Sequence, residues 1–140
     1  MAIVGFNFTK INVERKEESV KGKIDIKNNV AIMGVEEAKV KLGSSSQKVA
    51  KVSFDFNTIY GPKIGSIKLS GNVLVLGETA KIGNMIEKWK KSKSMPKDMA
   101  PTVLNTVLNK CNIQAVILSQ QINLPSPIPM PKVQVQAPKK

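Results

Sequence analysis

Residues 51–76, which read KVSFDFNTIYGPKIGSIKLSGNVLVL, contain the pattern that decides the fold of this chain. Apolar and polar side chains alternate over residues 52–57 and again over residues 67–75. Because successive side chains of a strand point to opposite faces, each run has one apolar and one polar face. The Gly61-Pro62 pair between the two runs favours a turn. The stretch therefore predicts an antiparallel hairpin that is covered on one side only.

Two further strands are predicted on the N-terminal side of this hairpin. Alternation over residues 4–8 changes phase before residues 11–13, which predicts a β-bulge near Thr9–Lys10. A second run opens at residues 20–26, is interrupted at Asn28–Asn29 and resumes over residues 35–42. With a turn at residues 43–46, residues 1–76 are predicted to form a four-stranded antiparallel sheet.

The period of the pattern changes after residue 78. Met85, Ile86 and Trp89 lie among lysines at a spacing that predicts a short amphipathic helix. After a break at residues 92–96, Asp98 is a candidate N-cap and Pro101 suits a first helical turn. The apolar stripe of a long second helix consists of Leu104, Leu108, Cys111, Ala115, Leu118 and Ile122. The two helices are predicted to cover one face of the sheet.

Prolines at positions 125, 127, 129 and 131 exclude a helix and a central strand from the C-terminal part of the chain. We therefore predict an α+β fold, in which a four-stranded antiparallel sheet is covered on one face by a short and a long helix. Residues 1–124 form the single domain, with the sheet in 1–76 and the helices in 78–122. Residues 125–140 form an extended, basic, Pro-rich arm, which packs either on its own domain or on a neighbouring subunit.

The composition excludes much chemistry. The 140 residues include no histidine, a single cysteine and only 10 carboxylates, which leaves no catalytic constellation and no metal or cofactor site that we can identify. We therefore expect that the protein is not an enzyme and has no cofactor. No secretory signal or apolar stretch long enough to span a membrane is visible, and we expect a cytoplasmic protein.

The net charge of +12 comes almost entirely from lysine, which supplies 21 of the 22 basic residues. Such a charge attracts anionic partners, so lysine-driven nucleic-acid binding is one functional hypothesis. Sequence-specific readout favours arginine, however, and binding to single strands favours aromatic platforms, and the chain is poor in both.

The order of predicted elements resembles that of the SecB export chaperones. Residues 6–13, FNFTKINV, are similar in pattern to the opening strand of that family, and residues 122–125, INLP, are similar to its Asn-Leu-x-Pro segment after the long helix. The chain also looks like small archaeal SecB-like proteins that end in Leu-Pro-x-Pro-Ile-Pro. The resemblance implies a dimer or tetramer with apolar grooves that hold non-native polypeptides before export. SecB proteins are acidic, whereas this chain has a net charge of +12. The resemblance therefore implies client holding and not transfer to the SecA motor.

Two sets of residues are candidates for these interactions. The candidate client-binding residues are Phe54, Phe56, Tyr60, Trp89 and Ile128, of which the aromatic ones also suit a core. The candidate residues of a homo-oligomer interface are Ile113, Ile117, Leu124 and Met130. Ile113 and Ile117 lie off the apolar stripe of the long helix and so lack an obvious partner within the chain. The alternative is a monomer in which the arm folds back on its own subunit.

Overall fold

A computed structural model describes residues 2–16, 24–61 and 63–128 of the chain. Its elements are β1 (Ala2–Arg15), β2 (Asp25–Leu42), β3 (Ser45–Gly61), β4 (Gly65–Leu76), α1 (Thr79–Ser92) and α2 (Ala100–Gln121). The expected α+β architecture is confirmed: four antiparallel strands are followed by a short and a long helix.

The four strands form one sheet in the order β1-β4-β3-β2. Short turns join β2, β3 and β4 into consecutive hairpins, whereas β1 returns to pair with β4. This arrangement is a Greek key, and it leaves β1 and β2 as the two edges. Both edge strands are long, with 14 residues in β1 and 18 in β2.

The predicted bulge in β1 is confirmed, because the pairing register shifts between Phe8 and Lys10. The predicted interruption of β2 at Asn28–Asn29 is wrong. Asn28 pairs with Thr58 and Asn29 with Asn57, and the irregularity of β2 lies instead between Ile32 and Gly34. The part of the predicted second strand before residue 24 lies outside the described residues.

The core lies between the helices and one face of the sheet. Alternate residues of the two central strands are buried on this face, and opposite residues in the register, such as Val52 and Val73, or Phe56 and Leu69, are buried together. The other face carries polar side chains, of which Ser70 donates a hydrogen bond of 2.7 Å to the Asp55 carboxylate. Such two-sided strands are typical of a sheet that is covered on one face only.

The buried stripe of α2 is displaced from the predicted one. Its buried residues are Val103, Val107, Cys111, Ala115, Leu118 and Ser119. Cys111, Ala115 and Leu118 were placed correctly, but Leu104 and Leu108 are only half-buried. The predicted N-cap is also wrong, because Met99 and not Asp98 precedes the helix, although Pro101 does fall at its start. Within the described residues, neither helix is long and apolar enough to cross a membrane.

Candidate functional site

Three of the five proposed client-binding side chains lie in the core. Phe54, Phe56 and Tyr60 are almost completely buried on the helix-covered face of β3. Phe54 stacks on Phe6 at a centroid distance of 5.2 Å, and Phe8 completes this aromatic cluster. Phe54 and Phe56 are core side chains and do not line an open groove as expected, whereas the buried Tyr60 reaches the C-terminal segment of the chain through its hydroxyl group.

The other two candidates are half-buried. Trp89 of α1 packs against the core while the lysines on either side of it are exposed. This is the arrangement of an anchor that attaches a basic helix to its own sheet. Ile128 follows Pro127, which is buried on the body of the protein.

The candidate oligomer residues fall into different environments. Ile113 and Ile117 are 61% and 45% exposed, and they lie one turn apart on the outer side of α2. Leu124 is only 6% exposed and belongs to the core of its own subunit, so it is not available to a second copy as expected. Met130 lies outside the described residues.

The end of α2 turns the chain back towards the sheet. Asn123 adopts a positive φ of 56°, the Leu124 N–H donates to the Ser119 carbonyl at 2.8 Å, and the Asn123 N–H donates to Gln120. This pairing is a Schellman motif, in which asparagine tolerates the left-handed conformation and the following apolar residue packs on the helix. Pro125 then prevents any return to helix.

Arg15, the single arginine of the chain, lies more than 100 residues before this turn and binds it through hydrogen bonds. Its Nη1 atom donates to the carbonyls of Ile122 at 3.1 Å and Asn123 at 3.0 Å. These two carbonyls lie directly after Gln121, the last residue of α2, and a cation at this end of the helix also suits its dipole. The end of β1 therefore fixes the start of the arm.

Two further side chains hold the arm by its backbone. The Tyr60 hydroxyl donates to the Pro125 carbonyl at 2.6 Å, and Asn28 Nδ2 donates to the Pro127 carbonyl at 2.9 Å. Thr58 is fully buried and donates to Asn28 Oδ1 at 2.7 Å, which orients the amide so that its NH₂ group faces the arm. We call the surface formed by Arg15, Tyr60 and Asn28 the cradle, and residues 122–127 the docked segment.

The cradle spans the width of the sheet at one end. Arg15 lies on β1, Tyr60 on β3 and Asn28 on β2, and the register places Arg15 opposite Gly65 and Gly65 opposite Tyr60. The outer strands are three spacings apart, about 14 Å. A polyproline II chain advances about 3.1 Å per residue, so the four steps from Asn123 to Pro127 cover about 12 Å. An extended proline-containing chain of this length therefore covers most of the distance from β1 to β2.

The electrostatics of the cradle favour carbonyl groups as ligands. Burial raises the pKa of Tyr60 from 10.0 to about 12, so the phenol keeps its proton and remains a donor. Together with the Arg15 guanidinium and the Asn28 amide, it presents donors to the docked segment. Within the described residues, no buried side-chain nitrogen or oxygen lacks a hydrogen-bond partner.

Other parts of the described chain offer less chemistry. A cleft of about 380 Å³ lies at the opposite end of the sheet, where Lys48 and Glu37 form an ion pair of 3.6 Å beside Lys90 of α1. Four of its eight lining residues are charged side chains at or near the surface, and ion pairs in such positions contribute little energy. No group of three or more metal-ligating side chains occurs among the described residues.

The sequence pattern did not identify Arg15, Asn28, Thr58 and Asn123 as residues that position the C-terminal segment. The order Asn-Leu-Pro directly after an apolar helical stripe is a signal for a C-terminal cap, and it was present in residues 123–125.

Comparison with protein-family models, curated proteins and solved structures finds no match to this chain.

Proposed function

We propose that the protein holds extended, non-native polypeptide, as the resemblance to SecB implies. The observation that supports this proposal is the cradle, which binds an extended segment of the protein's own chain through main-chain carbonyls. Binding through main-chain groups depends little on the side chains of the client, so it suits unfolded clients of unrelated sequence.

The edges of the sheet add a second surface for an extended chain. Among residues 2–16, 24–61 and 63–128, no strand pairs with the outer edge of β1 or of β2, and the exposed side chains of Val4, Ile11 and Met33 lie on these two strands. Exposed strand edges accept an additional strand from another chain by main-chain hydrogen bonding. Trp89 and Ile128, which are half-buried, remain candidate client contacts beside these edges.

A client-holding assay tests this proposal. A reporter enzyme diluted from guanidinium chloride aggregates, and we expect an equimolar amount of the protein to suppress its light scattering. No suppression at a several-fold molar excess would contradict the proposal. Phe54→Ala is a poor variant for this assay, because truncating a buried phenylalanine costs about 3–5 kcal/mol of stability.

Lysine-driven nucleic-acid binding is the second candidate function, and α1 is the observation that favours it. Lys81, Lys88, Lys90 and Lys91 are all exposed on this one helix. If the lysines neutralise phosphates, the logarithm of affinity for duplex DNA falls with the logarithm of salt by about 0.9 per phosphate. Tight binding that persists at physiological salt would favour this function over polypeptide holding.

We also propose that the protein is a homo-oligomer, a dimer or a tetramer, which acts in the cytoplasm. The exposed pair Ile113 and Ile117 supports an assembly through the outer side of α2. A reducing compartment suits a chain whose single thiol, Cys111, is buried and unpaired.

A further inference from the structure

The hydrogen bonds between the cradle and the docked segment all run in one direction. Arg15, Tyr60 and Asn28 are the donors, and the acceptors are the main-chain carbonyls of residues 122, 123, 125 and 127. Each of these donors belongs to a side chain of the sheet, so the cradle bonds to the docked segment through carbonyl groups, while Leu124 and Pro127 add buried apolar contact.

Proline suits such a surface better than any other residue. Pro125 and Pro127 have no backbone N–H, so docking removes no donor from water that would need a partner on the sheet. Their fixed φ also keeps the free segment close to the extended conformation that it adopts when bound, which reduces the entropy lost on docking. Pro127 contributes apolar contact as well, because it is buried on the body.

We infer that the cradle is a binding site for extended, proline-containing segments of other polypeptides, and that the protein's own arm occupies it as a competing ligand. This inference rests on the proposed polypeptide-holding function and names the segment that the site prefers. A client segment with prolines at alternate positions presents the carbonyls that Tyr60 and Asn28 bind, and it takes their place when residues 125–127 leave the cradle while the turn held by Arg15 stays in place.

Competition by the arm lowers the apparent affinity of the cradle for a client segment. The arm is attached through the Schellman turn and is therefore present at a high effective concentration. If the arm is docked about 90% of the time, the cradle is available about a tenth of the time, and the apparent Kd of a client segment is about tenfold weaker. Substitutions that weaken docking of the arm should therefore raise the apparent affinity for a client segment, and substitutions that remove donors of the cradle should lower it.

Fluorescence anisotropy with the full-length chain tests this inference. The probe is a labelled peptide with the sequence of residues 123–132, NLPSPIPMPK, and the control peptide has alanine in place of its four prolines. We expect a Pro125→Gly/Pro127→Gly variant, whose arm docks less well, to bind the probe about tenfold more tightly than the wild type. We expect the same variant to bind the alanine peptide more weakly than the probe.

Two sets of control variants separate the cradle from general effects. Adding Tyr60→Phe and Asn28→Ala to the arm variant should abolish the gain in probe affinity, because two of the three donors are lost. Pro101→Gly, the same type of substitution at the start of α2, should leave probe affinity at the wild-type value. Circular dichroism checks that each variant is folded.

The outcomes distinguish this inference from the function on which it rests. If the arm variant binds the probe no more tightly than the wild type, or binds the alanine peptide equally well, the inference is overturned. Suppression of reporter aggregation by the wild type would stand in that case. Conversely, tighter probe binding by the arm variant supports the inference even if the wild type suppresses the aggregation of only some reporter enzymes.

Discussion

Gly71 shows how a single residue determines the packing of the aromatic cluster. It lies on β4 between Phe8 of β1 and Phe54 of β3 in the register, and a Cβ atom there would overlap the Asn7 carbonyl oxygen and lie 2.9 Å from the Phe54 ring. The backbone of β1 therefore approaches β4 at a distance that only glycine permits.

We expect Gly71→Ala to lower the free energy of unfolding by about 1–3 kcal/mol or more, because neither the backbone oxygen nor the packed ring can move away cheaply. Urea denaturation measures the change. Gly34→Ala is the matched control, since nothing lies within 4 Å of a Cβ atom at that position. An equal loss of stability in both variants would show that the close approach at Gly71 is not the cause.

Two buried side chains are expected to lower the free energy of unfolding at alkaline pH. Burial raises the pKa of the Cys111 thiol from 9.0 to about 12 and that of the Tyr60 phenol from 10.0 to about 12. Both groups ionise earlier in the unfolded chain than in the folded one. The stability that is fully present below pH 9 is therefore lost progressively as the pH rises to about 12.

We expect the urea midpoint of the wild type to begin to fall near pH 9 because of Cys111. In Cys111→Ala the contribution of the thiol disappears, so the fall should begin about one unit higher, where Tyr60 starts to contribute. Urea titrations of both proteins between pH 7 and 12 are compared as differences, which removes effects common to the two chains. Parallel curves over the whole range would contradict the assignment to Cys111.

At the scale of elements, the sequence pattern predicted most where local periodicity and tertiary packing agree. The alternation in β3 and β4 placed the buried face correctly, and the phase shift in β1 placed the bulge at residue 9. The pattern failed at Asn28, where a polar residue on an edge strand looked like a break. Its partners are Thr58 and Pro127, which are 30 and 99 residues away in sequence, and a local pattern contains no information on such contacts.

The candidate site was less predictable than the fold for the same reason. Aromatic residues at alternate positions of β3 suit a core and a ligand-binding face equally, and only the docking of the two helices decides between these. On α2, Val103 and Val107 are buried in place of Leu104 and Leu108, because contacts with the sheet decide which side of the helix is buried and the helix sequence alone does not contain them.

The end of α1 is a site where stability can be raised. Lys93 follows the helix with a positive φ of 54°, and its N–H donates to the Trp89 carbonyl at 2.9 Å. Because a lysine in this conformation is strained and a glycine is not, we expect Lys93→Gly to raise stability by about 1 kcal/mol. Lys91→Gly, inside the last turn, should instead lower it by about 1 kcal/mol. Thermal unfolding measures both, and a decrease in both variants would contradict the role given to the left-handed cap.

The two ends of the sheet differ in the side chains that they carry. One end carries the cradle, where β1, β3 and β2 jointly hold the end of α2 and the start of the arm. The other end carries the β2–β3 turn and the charged cleft beside α1. Binding of extended chain is therefore expected at the first end and along the two edges, while the net charge of +12 acts at long range on any anionic partner.

The outer side of α2 is the surface through which we expect the protein to assemble. Ile113 and Ile117 form an exposed apolar pair on the outer side of a helix whose inner side already covers the sheet, and a two-fold symmetric contact between two such helices would remove both pairs from water. We expect static light scattering at tens of micromolar to give a mass of at least twice the 15.3 kDa of the chain. Ile113→Asn/Ile117→Asn should reduce this mass to that of a monomer without unfolding the protein.

Ile59→Asn is the control for this experiment, because Ile59 is 52% exposed on the uncovered face of the sheet. Loss of an exposed isoleucine from that face should leave the mass unchanged if the contact is specific to α2. A mass near 15.3 kDa for the wild type would refute the oligomer. If the double variant remains a dimer, the contact lies elsewhere, and the long edges β1 and β2 are then the surfaces to test, since pairing of two identical edges also buries their unpaired backbone groups.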